Sequence, residues 1–340
     1  MTIMKREQLH HATLNTPPPV RLADVQAAAT RIAGAVTRTR LIRSDSLSRH
    51  CGHAVWLKLE TEQPIGAFKL RGAMNAILSL DEAERRCGLV TASTGNHGRA
   101  VAFAARHLGL PATVCMSALV PANKVEAIRA LGAEVKIVGM SQDDAQAEVD
   151  RLAARDGLIA IPPFDHVQVV AGQGTIGLEV LEDLPDVATI LVPLSGGGLA
   201  GGIAVAVKAL KPSTRVIGIS MQRGAAMHAA IAAGRPVAIR EEQTLADSLG
   251  GGIGDANAVT FALCRSLLDE VILLNEEEIA AGIRHAASKD ALTLEGAGAV
   301  GIAALLADRL SVSGPTAVIV SGGNIDPALH RQILQGRWTC

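Results

Sequence analysis

Short runs rich in Val and Ile alternate with Ala-rich amphipathic stretches almost from one end of the chain to the other. Runs of the first kind suit strands buried on both faces, and stretches of the second kind suit helices that cover them. Two neighbouring parallel strands need a crossover between them, so the alternation predicts parallel sheet with helices on both faces, an α/β fold. The pattern predicts strands over 54–59, 88–92, 112–116, 134–138, 189–194, 215–220 and 316–321. It predicts helices over 98–107, 123–131, 141–154, 199–210 and 276–289. No repeat, low-complexity tract or Pro/Gly/Ser-rich linker follows residue 20, so composition marks no domain boundary. Ligands of open α/β sheets sit beyond the carboxyl ends of strands, and the loops after these strands are where chemistry is expected.

Composition narrows the classes of function. The 340 residues are enough for one large or two modest cores. Apolar residues make up 49%, but aromatics only 2% and Tyr is absent, so the core is aliphatic and no tyrosine serves as acid, base or stacking partner. The formal charge is -1, with 32 basic residues scattered among 33 acidic ones, which offers nothing to nucleic acid or an anionic membrane. The apolar stretch 201–207 is cut by Lys208, well short of the roughly 20 residues of a bilayer span. The first twenty residues carry Lys5, Arg6 and prolines 17, 18 and 19 but no apolar signal core, so the expectation is a cytoplasmic protein with a loose N-terminal lead. Cysteines at 51, 87, 115, 264 and 340 are odd in number, form no C-x-x-C pair and lack a nearby His at ligand spacing. They read as small hydrophobes or idle thiols, and no metal site is expected.

Five short clusters carry chemistry. Ser195-Gly196-Gly197-Gly198-Leu199 follows an apolar strand and opens an Ala/Val-rich helix, so bare N–H groups and the helix dipole converge on one anion, as in a phosphate cradle. A plain Gly turn is the alternative. Gly196, Gly198 and Gly201 also satisfy G-x-G-x-x-G, but the next strand ends Ile219-Ser220-Met221 without the carboxylate a dinucleotide ribose wants. No Lys-Ser or Lys-Thr follows the glycines, which removes a Walker nucleotide loop. Ser93-Thr94-Gly95-Asn96-His97-Gly98 gathers hydroxyls, an amide and N–H donors at a helix start, a seat for a carboxylate or a well-capped helix and nothing more. In the 66–73 run GAFKLRGA, Lys69 lies between apolar neighbours; burial would lower its pKa and leave a neutral amine able to attack an aldehyde, although a lone Lys is more often a surface residue. LEGAG places Glu295 in a small-residue turn, and VSGGN ends a strand at Ser321.

The order of these clusters resembles the serine/threonine dehydratases of the fold type II, tryptophan-synthase-like pyridoxal 5'-phosphate (PLP) family. The resemblance spans about residues 25–330 and rests on GAFKLRGA, STGNHG, AGQGTIGLEV, SGGGL and VSGGN in register. Within the family, IPPFDH, SQDDAQ and ADSLGGGIG look most like the hydroxyectoine utilization dehydratases. The resemblance implies two open, mostly parallel twisted sheets flanked by helices, a large cofactor domain of 1–87 and 166–340, a small mobile domain of 88–165 and a homodimer. It implies an ammonia-lyase that converts a β-hydroxy amino acid to a 2-oxo acid and ammonia. Carried over position by position, Lys69 would bond the cofactor and shuttle the α-proton. Asn96 would bond the phenolic oxygen, and Ser195, Gly196, Gly197, Gly198 and Leu199 would hold the phosphate. Ser321 would face the pyridine nitrogen and Glu295 would lie near the ring. Ser93, Thr94, Gly95 and His97 would receive the substrate carboxylate, and Ser248 would lie on a loop near the substrate. A hydroxyl opposite the pyridine nitrogen makes the ring a weaker electron sink than an aspartate would, so loss of the α-proton should be coupled to loss of the β-hydroxyl.

Departures from the family pattern sharpen the expectation. Racemases of the family carry a second serine where this chain has Thr94, which argues against efficient racemisation. The run Ser220-Met221-Gln222-Arg223-Gly224 lacks the acidic cluster of cation-binding members, so no cation is expected there. Many dehydratases read Ala-Asp-Gly where this chain has Ala246-Asp247-Ser248, which questions simple threonine or serine specificity. The sequence ends soon after VSGGN, and feedback control by isoleucine through a C-terminal domain is not expected. Racemisation, an NAD-dependent oxidoreductase and a binding protein without catalysis are the alternatives. The oxidoreductase lacks its acidic residue and leaves Lys69 unexplained, and the presence of Lys69 with every phosphate-loop glycine counts against a binding protein.

Overall fold

The computed structural model describes residues 3–5, 18–93, 95–120 and 122–338. Eleven strands among them are β1 (Ile3–Lys5), β2 (Leu41–Arg43), β3 (Val55–Leu59), β4 (Leu89–Ala92), β5 (Ala112–Met116), β6 (Glu134–Ile137), β7 (Ile159–Ala160), β8 (Thr189–Pro193), β9 (Arg215–Met221), β10 (Glu270–Leu274) and β11 (Thr316–Val320). They form a seven-stranded sheet in the order β1-β10-β9-β8-β11-β3-β2 and a four-stranded sheet in the order β6-β5-β4-β7. The smaller sheet is parallel throughout, and the larger is parallel except at its two edges, β1 and β2. The α/β class and the two mostly parallel, helix-flanked sheets are therefore as the sequence implies.

All seven strands read from the sequence are present, each within two residues of its predicted ends. The sequence reading omitted β10, a five-residue run, although all five residues are buried between β9 and β1. It also expected a loose N-terminal lead, and this is corrected at Ile3–Lys5, which pairs antiparallel with β10; residues 6–17 of that lead lie outside the described residues. β1 is three residues long and ends in a lysine, and such a segment gains strand structure from its neighbour rather than from its own pattern, whereas β10 carries the same apolar run as the other strands.

Two apolar clusters cover the faces of the larger sheet, one built on Leu57, Leu191, Ile217 and Val318, the other on Ile190, Val192, Val216 and Ile319. Alternate residues of one strand thus face opposite layers, as the period of two demands. A third cluster joins Leu70, Ala73 and Ile77 of the helix Lys69–Ser79 to Ala100, Val101 and Val114 of the four-stranded layer. Lys69 therefore begins a helix wedged between the two sheets. Among the described residues no helix is long and apolar enough to cross a membrane.

Candidate active site

Four strands of the two sheets deliver the predicted residues. The loop after β4 carries Ser93 and Gly95, with Asn96 opening the helix Asn96–Leu108. The loop after β8 carries Ser195–Gly197, the segment after β11 begins at Ser321, and Lys69 opens its helix ten residues beyond β3. Thr94, expected beside the substrate carboxylate, lies outside the described residues.

Contacts link these pieces into a ring. The Lys69 Nζ donates to the Pro163 carbonyl at 2.7 Å, and the Phe68 N–H donates to the Ser321 carbonyl at 3.0 Å. Ala67 bridges Gly322, and the Gly322 carbonyl accepts the Glu295 N–H at 3.3 Å. The Asn96 Nδ2 donates to Glu295 Oε1 at 2.7 Å. His97 Nε2 donates to the Ile161 carbonyl at 2.8 Å, which places its proton on Nε2, and two residues on, Pro163 closes the ring. Ser93 is half-buried, and its Oγ accepts the Gly95 N–H at 3.4 Å.

Burial sets the protonation of this ring. It pulls the Lys69 ammonium down to about 8, against the holding charge of Glu295. Burial pushes Glu295 up to about 7, helped by the negative charge of Asp247 and opposed by the Asn96 hydrogen bond. His97 is pushed down to about 3 by burial and then by the charge on Lys69. A neutral imidazole offers no positive charge, so the positive character of this part of the site lies in the N–H groups that open the helix Asn96–Leu108.

The glycine loop is bare backbone by necessity. A Cβ on Gly196 would lie 2.4 Å from the Phe164 ring, and one on Gly198 would lie 3.1 Å from Phe164 Cβ. Gly197 has φ +86°, and its Cβ would lie 2.7 Å from Met227 Cε and 2.8 Å from Cys264 Sγ. The helix Gly198–Leu210 starts there, with Leu199 buried in its first turn, and the opening N–H groups of a helix have no intrahelical partners. A Cβ on Gly201, the third glycine of the dinucleotide-like pattern, would lie 3.2 Å from Leu263 Cβ, so helix packing accounts for this glycine.

Residues 32–323 match the family described as pyridoxal-phosphate-dependent enzymes. The chain belongs to that family. It is 57% identical over 324 residues to a Sinorhizobium fredii protein provisionally named a threonine dehydratase, covering 95% of this chain and 98% of that one. It is 41% identical over 316 residues to an L-threonine ammonia-lyase of Thermotoga maritima, covering 93% of this chain and 78% of that one. Maize serine racemase superposes with a TM-score of 0.87 at 34% identity, over 93% of this chain and 97% of that one. The protein is thus a PLP-dependent enzyme of the lyase class.

The residues present fit PLP. A side-chain-free cradle at a helix N-terminus suits the phosphate, and a half-buried lysine of lowered pKa suits the aldehyde. The Asn96 amide, oriented by its neighbours, suits a ring oxygen. Its orientation comes from Asn324, whose Nδ2 donates to Asn96 Oδ1 at 2.7 Å and whose Oδ1 accepts from Arg99 at 2.6 Å. The VSGGN motif by itself assigns Asn324 no role. Sequence reasoning also missed the Pro163 carbonyl, because a backbone acceptor leaves no mark in a sequence. Ser248, expected on a loop near the substrate, is exposed, and its N–H donates to Asp247 Oδ1 at 2.8 Å; Asp247 is exposed as well, and its negative charge is felt at Glu295.

Proposed function

We propose that this enzyme is a dehydratase that removes water and then ammonia from a β-hydroxy amino acid of the threonine or serine type, leaving a 2-oxo acid. The observation that carries the reading is Lys69: an amine with a pKa of about 8, held on the Pro163 carbonyl beside Asn96, His97 and Glu295. Bound there, PLP would supply an aldehyde for the substrate amine and an electron sink for the bond that breaks at Cα. The chain's own part is positioning and proton transfer. Lys69 would carry the cofactor and then take the α-proton, and its lowered pKa suits a base near neutral pH. Ser195–Leu199 would hold the phosphate, Ser321 the pyridine nitrogen and Asn96 the ring oxygen. Ser93, Thr94, Gly95 and His97 would face the substrate carboxylate, and closure of residues 88–165 over the substrate would exclude water.

The two relatives named for threonine support this reaction. The likeness of IPPFDH, SQDDAQ and ADSLGGGIG to the hydroxyectoine utilization dehydratases supports, as the finer reading, a 3-hydroxy amino acid derived from hydroxyectoine, and Ser248 in place of a glycine puts simple threonine or serine specificity in question. Likeness to maize serine racemase favours racemisation as a second reading. The test is 2-oxo acid release by the PLP-loaded protein from L-threonine, L-serine, the 3-hydroxyaspartates and hydroxyectoine-derived amino acids, with Lys69→Ala as control. Turnover lost in the control is expected, and the best substrate separates the general from the hydroxyectoine-linked role. Inversion of serine without 2-oxo acid release would replace the dehydratase reading by racemisation.

A further inference from the structure

Residues 161–166 lead from β7 to the helix Val167–Asp183, meet the ring at His97 and Lys69 and cover the glycine loop. The Ile161 carbonyl accepts from His97 at 2.8 Å and from the Thr91 hydroxyl at 2.9 Å. The Pro163 carbonyl holds the Lys69 Nζ at 2.7 Å. The Asp165 carboxylate accepts the N–H groups of Ala258, Val259 and Thr260 at 3.0, 2.9 and 2.8 Å. Between Pro163 and Asp165 stands Phe164. Its ring occupies the space above Gly196, where a Cβ would come within 2.4 Å, and its backbone covers Gly198, where a Cβ would lie 3.2 Å from the Phe164 Cα. Thr260, tied to Asp165, backs Gly197 from another side, with its Cβ 3.0 Å from a Cβ built there. Two adjacent residues thus hold the glycine loop, one directly and one through Thr260.

We propose that Phe164 is a positioning residue for the cofactor phosphate. The inference rests on the PLP reading of the site and goes beyond it, because Phe164 offers no polar atom to the cofactor. Consecutive glycines have wide backbone freedom, and a loop that must be ordered at each binding event loses affinity to that ordering. The Phe164 ring, seated on Gly196, removes the freedom in advance and keeps the loop N–H groups converged. By the same reading Lys69, Asn96 and Ser321 would bind the other end of the cofactor, so pyridoxal reports on them apart from the phosphate.

The test compares PLP with phosphate-free pyridoxal, each titrated by equilibrium dialysis into purified apoprotein. For Phe164→Ala, PLP affinity should fall about tenfold or more while pyridoxal affinity stays within about twofold, a loss of about 1.4 kcal/mol confined to the phosphate. Phe164→Leu, which restores part of the volume, should recover part of the loss, and it carries the same test if the alanine variant does not fold. An equal fall for both ligands would mark a general packing defect and overturn the proposal, as would no change for either. Wild-type protein that does not prefer PLP to pyridoxal would overturn the phosphate assignment itself, and this inference with it.

Discussion

Glu295 holds its carboxyl inside the ring, 2.7 Å from the Asn96 amide, and burial pushes it up to about 7 from an ordinary 4.5. Between those values the folded chain keeps a proton that the unfolded chain has lost. Stability from this group is therefore full below about pH 4.5 and falls as pH rises to about 7, by roughly 3 kcal/mol in total. Glu295→Gln keeps an oxygen for Asn96 and removes the titration. Its apoprotein should differ little from wild type at pH 4.5 and be the more stable at pH 8, read as the shift in denaturant midpoint. A difference of equal size at both values would remove burial as the cause. At this scale the sequence was informative about identity: Lys69, Asn96, Glu295 and Ser321 all fall in or beside the ring. It was silent about Pro163 and Asn324, whose parts depend on which atoms meet.

The motif AGQGTIGLEV was legible as a family mark but not as a piece of architecture. In the structure its glycines lie where helices touch backbone to backbone. A Cβ on Gly172 would lie 2.6 Å from the Arg71 carbonyl and 2.7 Å from the Gly72 Cα, and one on Gly174 would lie 2.8 Å from the Gly202 carbonyl. The helix that begins with Lys69 is thereby pressed onto Val167–Asp183. Arg71, two residues along it, adds a charged clamp, donating to both Glu60 oxygens at 2.8 Å and to Glu179 at 2.6 and 2.9 Å. All of these groups are buried or nearly so, which makes the clamp costly to break from one side. Gly172→Val should force the two helices apart, costing about 1–3 kcal/mol or more, and should slow capture of PLP by Lys69. Gly252→Ala, where a Cβ meets nothing within 4 Å, should leave both unchanged. Denaturant melts and the growth of the visible cofactor band read the two effects separately.

For the molecule as a whole, the site exists only where the two sheets meet. Asn96 and His97 come from the four-stranded layer, Ser195 and Ser321 from the seven-stranded sheet, and Lys69 from the helix between them. A ligand that contacts all three stabilises the folded state by mass action, about 2.7 kcal/mol at a hundredfold excess over its dissociation constant. PLP should therefore raise the melting temperature of the apoprotein by several degrees in one transition. The rise should shrink in Lys69→Ala, which keeps the phosphate cradle but loses the amine. Melting in two steps, with only one responding to PLP, would show that the cofactor does not tie the sheets together.

The sequence by itself determined the fold class and the strands that lead to the candidate site, and it singled out the glycine loop and Lys69. These are local properties: a period of two or of 3.6, a glycine run after a strand, a lysine between apolar neighbours. Tertiary structure alone decided that Pro163 restrains Lys69, that Phe164 occupies the space over Gly196, that His97 is neutral and that Glu295 takes up a proton near pH 7. Each depends on which groups from distant segments exclude water together, and desolvation is a property of the assembled neighbourhood rather than of any residue in it.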